Sequence, residues 1–390
     1  MLLTECIGKP TVAIFTPVFL DPFKGEFDLK QCNWGGGERY LIDLCRALTD
    51  FGMEPHIWQP SMSPYKGEVF GFPFYGLGNN SRRSPHEFFH DASTKFAASI
   101  EPKYDRAIYF NIDLTTAASP QSIGVTHGIW WDQVEDLVAW RGGHYADWMA
   151  WMRRAHEQPR LIVSVDANSI NWVRATYGRN VADKMRYIPN YADEAVYTEE
   201  RASVPLSKRN RRTRIICSRR MVPARGVPQM LDAVEKIIPA YAQVEAWFIG
   251  KGAKSLYDRC KRLEEKTGRC HTEVVKMDGM AEHYFNSSIS VVPTIAAEGT
   301  SLSCIESMAA GCAVVATRVG GLSNLVIDGH NGLLIEPTAV AIERAIRHLL
   351  DNPAEAQRMA TTARQVFLSS FTITQWRARW HELLKELGWI

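Results

Sequence analysis

The chain has 390 residues, of which 46% are hydrophobic and 23% are charged, and its formal net charge is +2. This length favours two domains over one, and this composition excludes an intrinsically disordered protein. The nearly balanced charge gives no global reason to expect nucleic acid as a partner.

The first half of the chain alternates short apolar strands with amphipathic helices, which is typical of α/β domains with mainly parallel sheets. The first strand is predicted over residues 11–19, and a loop leads from it to a helix over 38–51. Residues 70–96 are rich in Gly, Pro and Asn and are predicted as loops with a short helix. Further strands are predicted at residues 54–58, 106–110, 122–126, 161–165 and 186–188.

The second half repeats this alternation after a polar, basic stretch at residues 207–214. That stretch is either solvated or in contact with anionic lipid. Strands are predicted at 215–218, 246–249, 273–277, 289–293, 313–317 and 332–335, and helices at 227–241, 301–310, 340–350, 354–368 and 372–387. Two α/β halves in tandem predict a ligand cleft between them.

The cysteines and the N-terminus indicate the compartment. The eight cysteines form no Cys-x-x-Cys pair and no His/Cys cluster with zinc spacing, so a reduced protein without a metal site is expected. The N-terminus lacks the apolar region of a secretory signal, and no apolar run approaches the roughly 20 residues that span a bilayer. We expect a cytoplasmic protein, with peripheral contact at the inner face of the membrane left open.

The most informative motif spans residues 298–311, follows a predicted strand and opens a helix. Thr300 or Ser301 can cap this helix, and its free first-turn amides and positive dipole end suit a phosphate. Glu306, on the same helix, can accept hydrogen bonds from both hydroxyls of a ribose, and Glu298 can hold sugar hydroxyls. On spacing alone, two solvated glutamates beside an ordinary helix start are an equally good interpretation.

A second motif, Arg219 to Gly226, directly follows the strand predicted at 215–218. If a nucleoside diphosphate leaves without help from a metal, fixed cations must stabilise the developing charge, and guanidinium groups bind phosphate bidentately. Arg219 and Arg225 are the candidates for this role. The alternative is a basic surface turn, and Arg220 fits that description better.

Three other signals are weaker. Gly35, Gly36 and Gly37 lie between the first strand and the first helix, where a ligand can approach the backbone closely. Gly250-Lys251-Gly252 also follows a strand, but it lacks the full glycine pattern and the later acid of a dinucleotide site. His127 follows the strand at 122–126, and a lone histidine is more often structural than functional.

Tryptophans are frequent after His127. Trp130 and Trp131 lie in a loop beside the expected cleft, and indole faces both stack on sugars and suit membrane interfaces. A saccharide or a lipid-linked ligand is therefore a hypothesis. Tryptophans on predicted helical segments are expected in the core, namely Trp148, Trp151 and Trp172.

Residues 298–311 resemble the E-x7-E signature of the retaining family 4 glycosyltransferases, with its E-G-x-S-L and E-S-M-A-x-G surroundings. Residues 313–317, 320–322 and 328–332 are similar to that family as well, as is the order of motifs over most of the chain. The resemblance implies the GT-B fold, an α/β architecture of two Rossmann-like domains with a cleft between them and a C-terminal helix that returns to the N-terminal domain. It also implies a nucleotide-diphosphate sugar as the donor, retention at the anomeric carbon, and no cofactor or required metal.

The same resemblance assigns domains. Residues 1–195 would be the acceptor-binding domain and 196–213 the linker. Residues 214–370 would bind the nucleotide sugar, and 371–390 would form the helix that packs back on the first domain.

The resemblance also assigns roles to residues. Glu306 would hold the ribose, Glu298 would face the donor sugar, and the backbone of Ser301 and Leu302 would meet the diphosphate. Arg219 matches the family pattern, whereas Arg225 stands where the family usually has a lysine. His127 would reach the donor sugar or the reacting centre without acting as a general base.

Catalytic residues are therefore expected to be Glu298, His127, Arg219 and Arg225, and acceptor residues to be Trp130 and Trp131. The expected donor-binding set is Gly36, Gly37, Arg219, Arg225, Gly250, Met277, Glu298, Gly299, Thr300, Ser301, Leu302 and Glu306.

The expected function is that of a retaining, metal-independent glycosyltransferase in surface polysaccharide or glycoconjugate biosynthesis. It would move a hexosyl or related sugar to a saccharide or lipid-linked acceptor, and nucleic acid is not expected as a partner. Two alternatives stay open: an epimerase or phosphorylase on the same fold, and a non-catalytic GT-B subunit that binds a partner transferase. The intact glutamates and arginines of the two motifs argue against a non-catalytic subunit.

Overall fold

The computed structural model describes residues 9–17, 19–20, 35–78, 85–100, 103–104, 106–115, 121–129, 145–276, 279–296 and 298–390. Within these ranges the chain forms two sheets in which parallel pairing dominates, one in each half. This arrangement agrees with the predicted α/β class.

Eight strands form the first sheet: β1 (Thr11–Phe15), β2 (Glu54–Gln59), β3 (Pro64–Val69), β4 (Phe72–Leu77), β5 (Arg106–Tyr109), β6 (Ser122–Thr126), β7 (Leu161–Ser164) and β8 (Met185–Tyr187). Their order is β3-β4-β2-β1-β5-β6-β7-β8, and only β3 runs antiparallel to its neighbour. The order reverses between β1 and β5. In such sheets ligands bind in the crevice outside the carboxyl ends of the strands at the reversal.

Six strands form the second sheet: β9 (Thr213–Ser218), β10 (Val244–Ile249), β11 (Cys270–Glu273), β12 (Ile289–Val292), β13 (Ala313–Thr317) and β14 (Leu333–Ile335). All neighbours are parallel, in the order β11-β10-β9-β12-β13-β14. The reversal falls between β9 and β12. The wholly buried sequence of β13, Ala-Val-Val-Ala-Thr, is what a strand covered on both faces requires.

The helices of the first half are α1 (Gly36–Asp50), α2 (Pro85–Ile100), α3 (Tyr145–Glu157), α4 (Ala167–Thr176) and α5 (Arg179–Ala182). Those that follow are α6 (Glu199–Ala202), α7 (Val227–Ala240), α8 (Lys254–Thr267), α9 (Met280–Phe285), α10 (Leu302–Ala309), α11 (Ala339–Asp351), α12 (Pro353–Ser370) and α13 (Ile373–Glu386).

Helix α1 illustrates how an apolar stripe packs a helix against its sheet. Its Leu41, Leu44 and Leu48 recur at helical spacing, and all three are fully buried against the first sheet.

The last helix, α13, returns to the first half of the chain. Its Trp376 and Trp380 are fully buried in the same core as Val12 of β1. The indole N–H of Trp380 donates a hydrogen bond to the hydroxyl of Tyr40 at 3.0 Å. A capping box at Thr372 begins the helix. The predicted return of the C-terminal helix is confirmed.

Two predictions of secondary structure are wrong. Residues 70–96, predicted as loops with a short helix, contain strand β4 and most of the 16-residue helix α2. Pro and Gly in Phe72–Leu77 indicate a loop, but pairing with β2 and β3 on both sides overrides that propensity. The strand predicted at 273–277 lies earlier, because β11 pairs with β10 from Ala246↔Cys270 to Ile249↔Glu273.

The basic stretch at 207–214 is not a uniformly solvated linker. Arg209 is buried and donates hydrogen bonds to the carbonyl oxygens of Ala202, Ser287 and Ala310, at 2.8 to 3.0 Å. Arg214 pairs with Glu245 at 2.8 Å. Two of the arginines that suggested a contact with lipid are therefore used inside the molecule. The residue boundaries of the two domains and the linker stay predictions.

A search of the described residues finds no helix with both the length and the apolar character needed to cross a bilayer.

Replacing Trp380 with Ala is expected to lower the free energy of unfolding by about 3–5 kcal/mol, the usual cost of deleting a large aromatic side chain from a core. Chemical denaturation monitored by circular dichroism measures this change. The matched control on the same helix is Lys385→Ala, since Lys385 is 54% exposed and its ion pair is on the surface. Equal stability of the two variants would show that α13 does not belong to the first core.

Candidate active site

The carboxyl edges of the two sheets meet through a close approach of two backbones. Gly128, just after β6, has φ +112°, and a Cβ at this position would lie 2.7 Å from the backbone nitrogen of Gly299. In the same way, a Cβ on Gly299 would lie 2.6 Å from the carbonyl oxygen of His127. Only glycine at both positions allows this contact.

Thr300 fixes the same contact by hydrogen bonds. Its hydroxyl donates to the carbonyl oxygen of Val165 at 2.7 Å and accepts from the backbone N–H of Asn190 at 2.9 Å. The side-chain amide of Asn190 donates to the carbonyl oxygen of Thr300 at 2.5 Å. Two residues further, Leu302 packs against Gly36, where a Cβ would lie 2.6 Å from the leucine Cδ1. The start of α10 is thus held against the first half of the chain.

Glu298 lies between two arginines at this junction. Its Oε2 accepts a hydrogen bond from Arg219, one from Arg225 at 2.8 Å and one from the hydroxyl of Thr294 at 3.0 Å. Arg219 follows β9 and Thr294 follows β12, so the cluster stands at the reversal of the second sheet. The side chains of Glu298 and Arg219 are 10% and 9% exposed. These are not solvated groups, and the surface interpretations of both motifs are wrong, while Arg220 is exposed as expected.

The charge state of this cluster follows from its composition. Burial by itself would raise the pKa of Glu298, but the attraction of Arg219 and Arg225 outweighs burial, and the pKa lies below the usual value for a glutamate. Glu298 is therefore ionised at neutral pH. Two cations and one anion leave the cluster with a local charge of about +1, which favours an anionic ligand.

Arg219 also contacts the start of α10. Its guanidinium donates to the hydroxyls of Ser301 and Ser303 at 3.0 and 2.9 Å. Ser301 is the N-cap residue of α10, but its side chain makes no capping hydrogen bond. The Nε of Arg219 is buried and has no hydrogen-bond partner within the described part of the chain. An unsatisfied buried donor is costly and is often found at functional sites.

Glu306 lies one turn into α10 and is paired across the junction. Its Oε1 accepts a hydrogen bond from Arg39 of α1 at 2.8 Å. Burial raises the pKa of Glu306, and the attraction of Arg39 offsets that effect only in part. The two glutamates of the motif thus differ, because Glu298 has two guanidinium partners and Glu306 has one.

His127 lies at the wall of a pocket in the first half. The pocket has a volume of about 220 Å³ and opens where β1, β5 and β6 end. Burial lowers the pKa of His127 to about 4, so the ring is neutral at pH 7. Because Nε2 bonds the carbonyl oxygen of Phe110 at 2.9 Å, Nε2 carries the proton and Nδ1 is an acceptor. The rest of the lining includes Thr16, Phe19, Gly37, Glu38, Leu41 and Asn111.

The remaining residues predicted from the sequence lie in different parts of the chain. Gly250 packs against the backbone of Arg219, where a Cβ would lie 2.2 Å from its carbonyl oxygen, and so lies beside the cluster. Met277, Trp130 and Trp131 lie outside the described residues. The helical tryptophans belong to the core as predicted: Trp148 is buried, and Trp151 and Trp172 pack against the same cluster.

Sequence reasoning missed three polar contributors. Arg39 lies two positions after the three glycines, and Thr294 directly follows the strand predicted at 289–293, so their positions gave some signal. Ser303 is one of several hydroxyls in 298–311, with nothing to distinguish it. Across the described ranges, no group of three or more His, Cys, Asp or Glu side chains is arranged to hold a metal ion.

Comparison with known proteins agrees with this geometry. The model of the family "Glycosyltransferase Family 4" matches residues 34–196, and that of "Glycosyl transferases group 1" matches residues 198–366. The lipopolysaccharide 1,2-N-acetylglucosaminetransferase of Salmonella typhimurium is 25% identical over 241 residues, which cover 58% of this chain and 57% of that enzyme. The chain spans less than two thirds of the length of the curated relatives it matches.

Two solved structures share the fold. Sucrose-phosphate synthase from Thermosynechococcus elongatus has a TM-score of 0.74 at 17% identity, covering 97% of this chain and 99% of that one. HepE of Anabaena, in complex with UDP and glucose, has a TM-score of 0.70 at 16% identity, covering 96% of this chain and 99% of that one. With the two family models and the junction at Glu298 and Glu306, these likenesses lead to one conclusion: the chain belongs to the group 1, family 4 glycosyltransferases of the GT-B fold.

Proposed function

We propose that this protein is a retaining glycosyltransferase that moves a sugar from a nucleotide-diphosphate donor to a saccharide or lipid-linked acceptor. The observation that carries the proposal is the convergence of Arg219, Arg225 and Glu298 at the start of α10. That cluster offers fixed cations for a leaving diphosphate and a carboxylate for the donor sugar.

The donor side follows from charge and donor geometry. In the proposed reaction the bond between the anomeric carbon and the diphosphate oxygen breaks, and negative charge builds up on the leaving group. Arg219 and Arg225 would stabilise that charge as fixed cations, since together they carry one more positive charge than Glu298 neutralises.

The ribose and the acceptor would lie on either side of this cluster. Glu306 would accept hydrogen bonds from the ribose hydroxyls. The acceptor would enter through the pocket at His127, whose Nδ1 can accept a hydrogen bond from a sugar hydroxyl. The acceptor oxygen would attack the anomeric carbon on the face that the diphosphate leaves, and its proton would pass to the leaving phosphate.

The pocket favours this function over that of an epimerase. An epimerase needs no acceptor, whereas the pocket opens beside His127, which contacts the same Gly299 that precedes α10. A role in surface polysaccharide or glycoconjugate synthesis, a cytoplasmic location, peripheral membrane contact, and independence of metal and cofactor remain parts of this proposal.

We expect one nucleoside diphosphate among UDP, GDP, ADP, CDP and dTDP to stabilise the protein without added metal. At 100 times the dissociation constant the gain is about 2.7 kcal/mol, measured as a shift of the thermal unfolding midpoint. Glu306→Gln should remove most of this shift, because the amide is a weaker partner for two ribose hydroxyls.

The control for Glu306→Gln is Glu336→Gln, which should keep the full shift because the side chain of Glu336 is 71% exposed and pairs with Arg318 at the surface. If no diphosphate stabilises the folded wild type, the donor assignment is wrong and a non-catalytic subunit becomes the better interpretation.

Glu298→Gln should lower turnover by about a hundredfold or more, in the range seen when one stabilising polar group is removed from an active site. Diphosphate binding should stay equal or tighten, because the cluster gains a net positive charge when the carboxylate is lost. Isothermal titration with the diphosphate and initial rates with the donor sugar separate the two effects. An equal loss of binding and turnover would contradict the role given to Glu298.

A further inference from the structure

Arg39 and Glu306 form an ion pair that joins the two halves of the chain. The distance between Arg39 Nη1 and Glu306 Oε1 is 2.8 Å, and the two side chains are 17% and 12% exposed. At this degree of burial an unpaired carboxylate is costly, so the guanidinium is needed to keep Glu306 charged. The sequence motif around Glu306 contains no cation that could serve instead.

The first half of the chain holds Arg39 in place for this contact. Asp43, one turn along α1, lies 3.8 Å from Arg39 Nε and accepts a hydrogen bond from the hydroxyl of Tyr191 at 2.6 Å. The ring of Tyr191 lies under the guanidinium, 5.9 Å from centroid to Cζ. Tyr191 in turn packs on Trp376 of α13, with centroids 4.5 Å apart. Contacts with Asp43 and Tyr191 therefore orient the guanidinium of Arg39.

The pair leaves room for a ligand on the same carboxylate. A carboxylate has about four acceptor positions on its two oxygens, and Arg39 contacts Oε1 through one N–H. Glu306 can thus bind Arg39 and two ribose hydroxyls at the same time. A guanidinium on one oxygen would also fix the plane in which the carboxylate meets the ribose.

We propose that Arg39 is a positioning residue for the donor nucleotide: from the opposite half of the chain it holds the Glu306 carboxylate charged and oriented toward the ribose. The inference rests on the proposed function, since it takes Glu306 as the ribose ligand. It follows that the nucleotide site is complete only while α1 and α10 are in contact.

The test compares a ribonucleoside diphosphate with its 2′-deoxy analogue in the wild type and in Arg39→Met. The nucleotide is the one that stabilises the wild type most among the five diphosphates named above. Dissociation constants come from isothermal titration. For the wild type we expect the 2′-deoxy analogue to bind about tenfold more weakly, the usual worth of one hydrogen bond to a charged group.

Arg39→Met should weaken binding of the ribonucleotide by about tenfold, while the penalty for the 2′-deoxy analogue should shrink to about threefold or less. Arg39→Lys keeps the positive charge but loses the planar guanidinium, so its affinity for the ribonucleotide should lie between those of the wild type and Arg39→Met. The control is Arg46→Met. Arg46 lies on the same helix and pairs with the same Asp43 at 3.1 Å, but its side chain is 61% exposed.

Four results would overturn the inference. Tighter binding by Arg39→Met would mean that Arg39 competes with the ribose. An undiminished 2′-deoxy penalty would mean that Arg39 acts on another part of the nucleotide or on stability alone. If none of the diphosphates binds the wild type, the proposed function fails and this inference fails with it, whereas normal binding by Arg39→Met removes the inference only.

Discussion

The contact between the start of α10 and the carboxyl edge of the first sheet is the constraint on which the site depends. It requires glycine at 128 and 299, where two backbones approach too closely for any Cβ. Thr300 then closes the contact with hydrogen bonds to Val165 and Asn190. The contact therefore joins the carboxyl ends of β6, β7 and β8 in the first sheet to the loop that follows β12, where the second sheet reverses its strand order.

The two buried glutamates at this junction have different electrostatic surroundings. Glu298 and Glu306 are eight positions apart and both buried, yet the pKa of one is lowered and that of the other is raised. The difference is the number of guanidinium partners, two against one. The first carboxylate belongs to a cluster with surplus positive charge, suited to a diphosphate. The second depends on a single cation from the other half of the chain.

The C-terminal helix connects the two halves in a different way. Trp376 and Trp380 of α13 lie in the core of the first sheet although the helix follows the second. Tyr191 packs on Trp376 and supports Asp43, which lies beside Arg39. The same aromatic core that anchors the helix therefore also supports the residue that reaches Glu306. Movement of one half against the other would change the contact between Arg39 and Glu306, and with it the proposed nucleotide site.

The sequence by itself determined the α/β class, the two halves, and the placement of Glu298 and Glu306 around one helix start, because such features depend on local spacing. It did not predict β4 or α2, where strand pairing and packing overrode turn-forming residues. Only the tertiary structure decided which charges meet. Arg39 and Glu306 are 267 positions apart, and no local pattern encodes a contact between two helices that follow strands of different sheets.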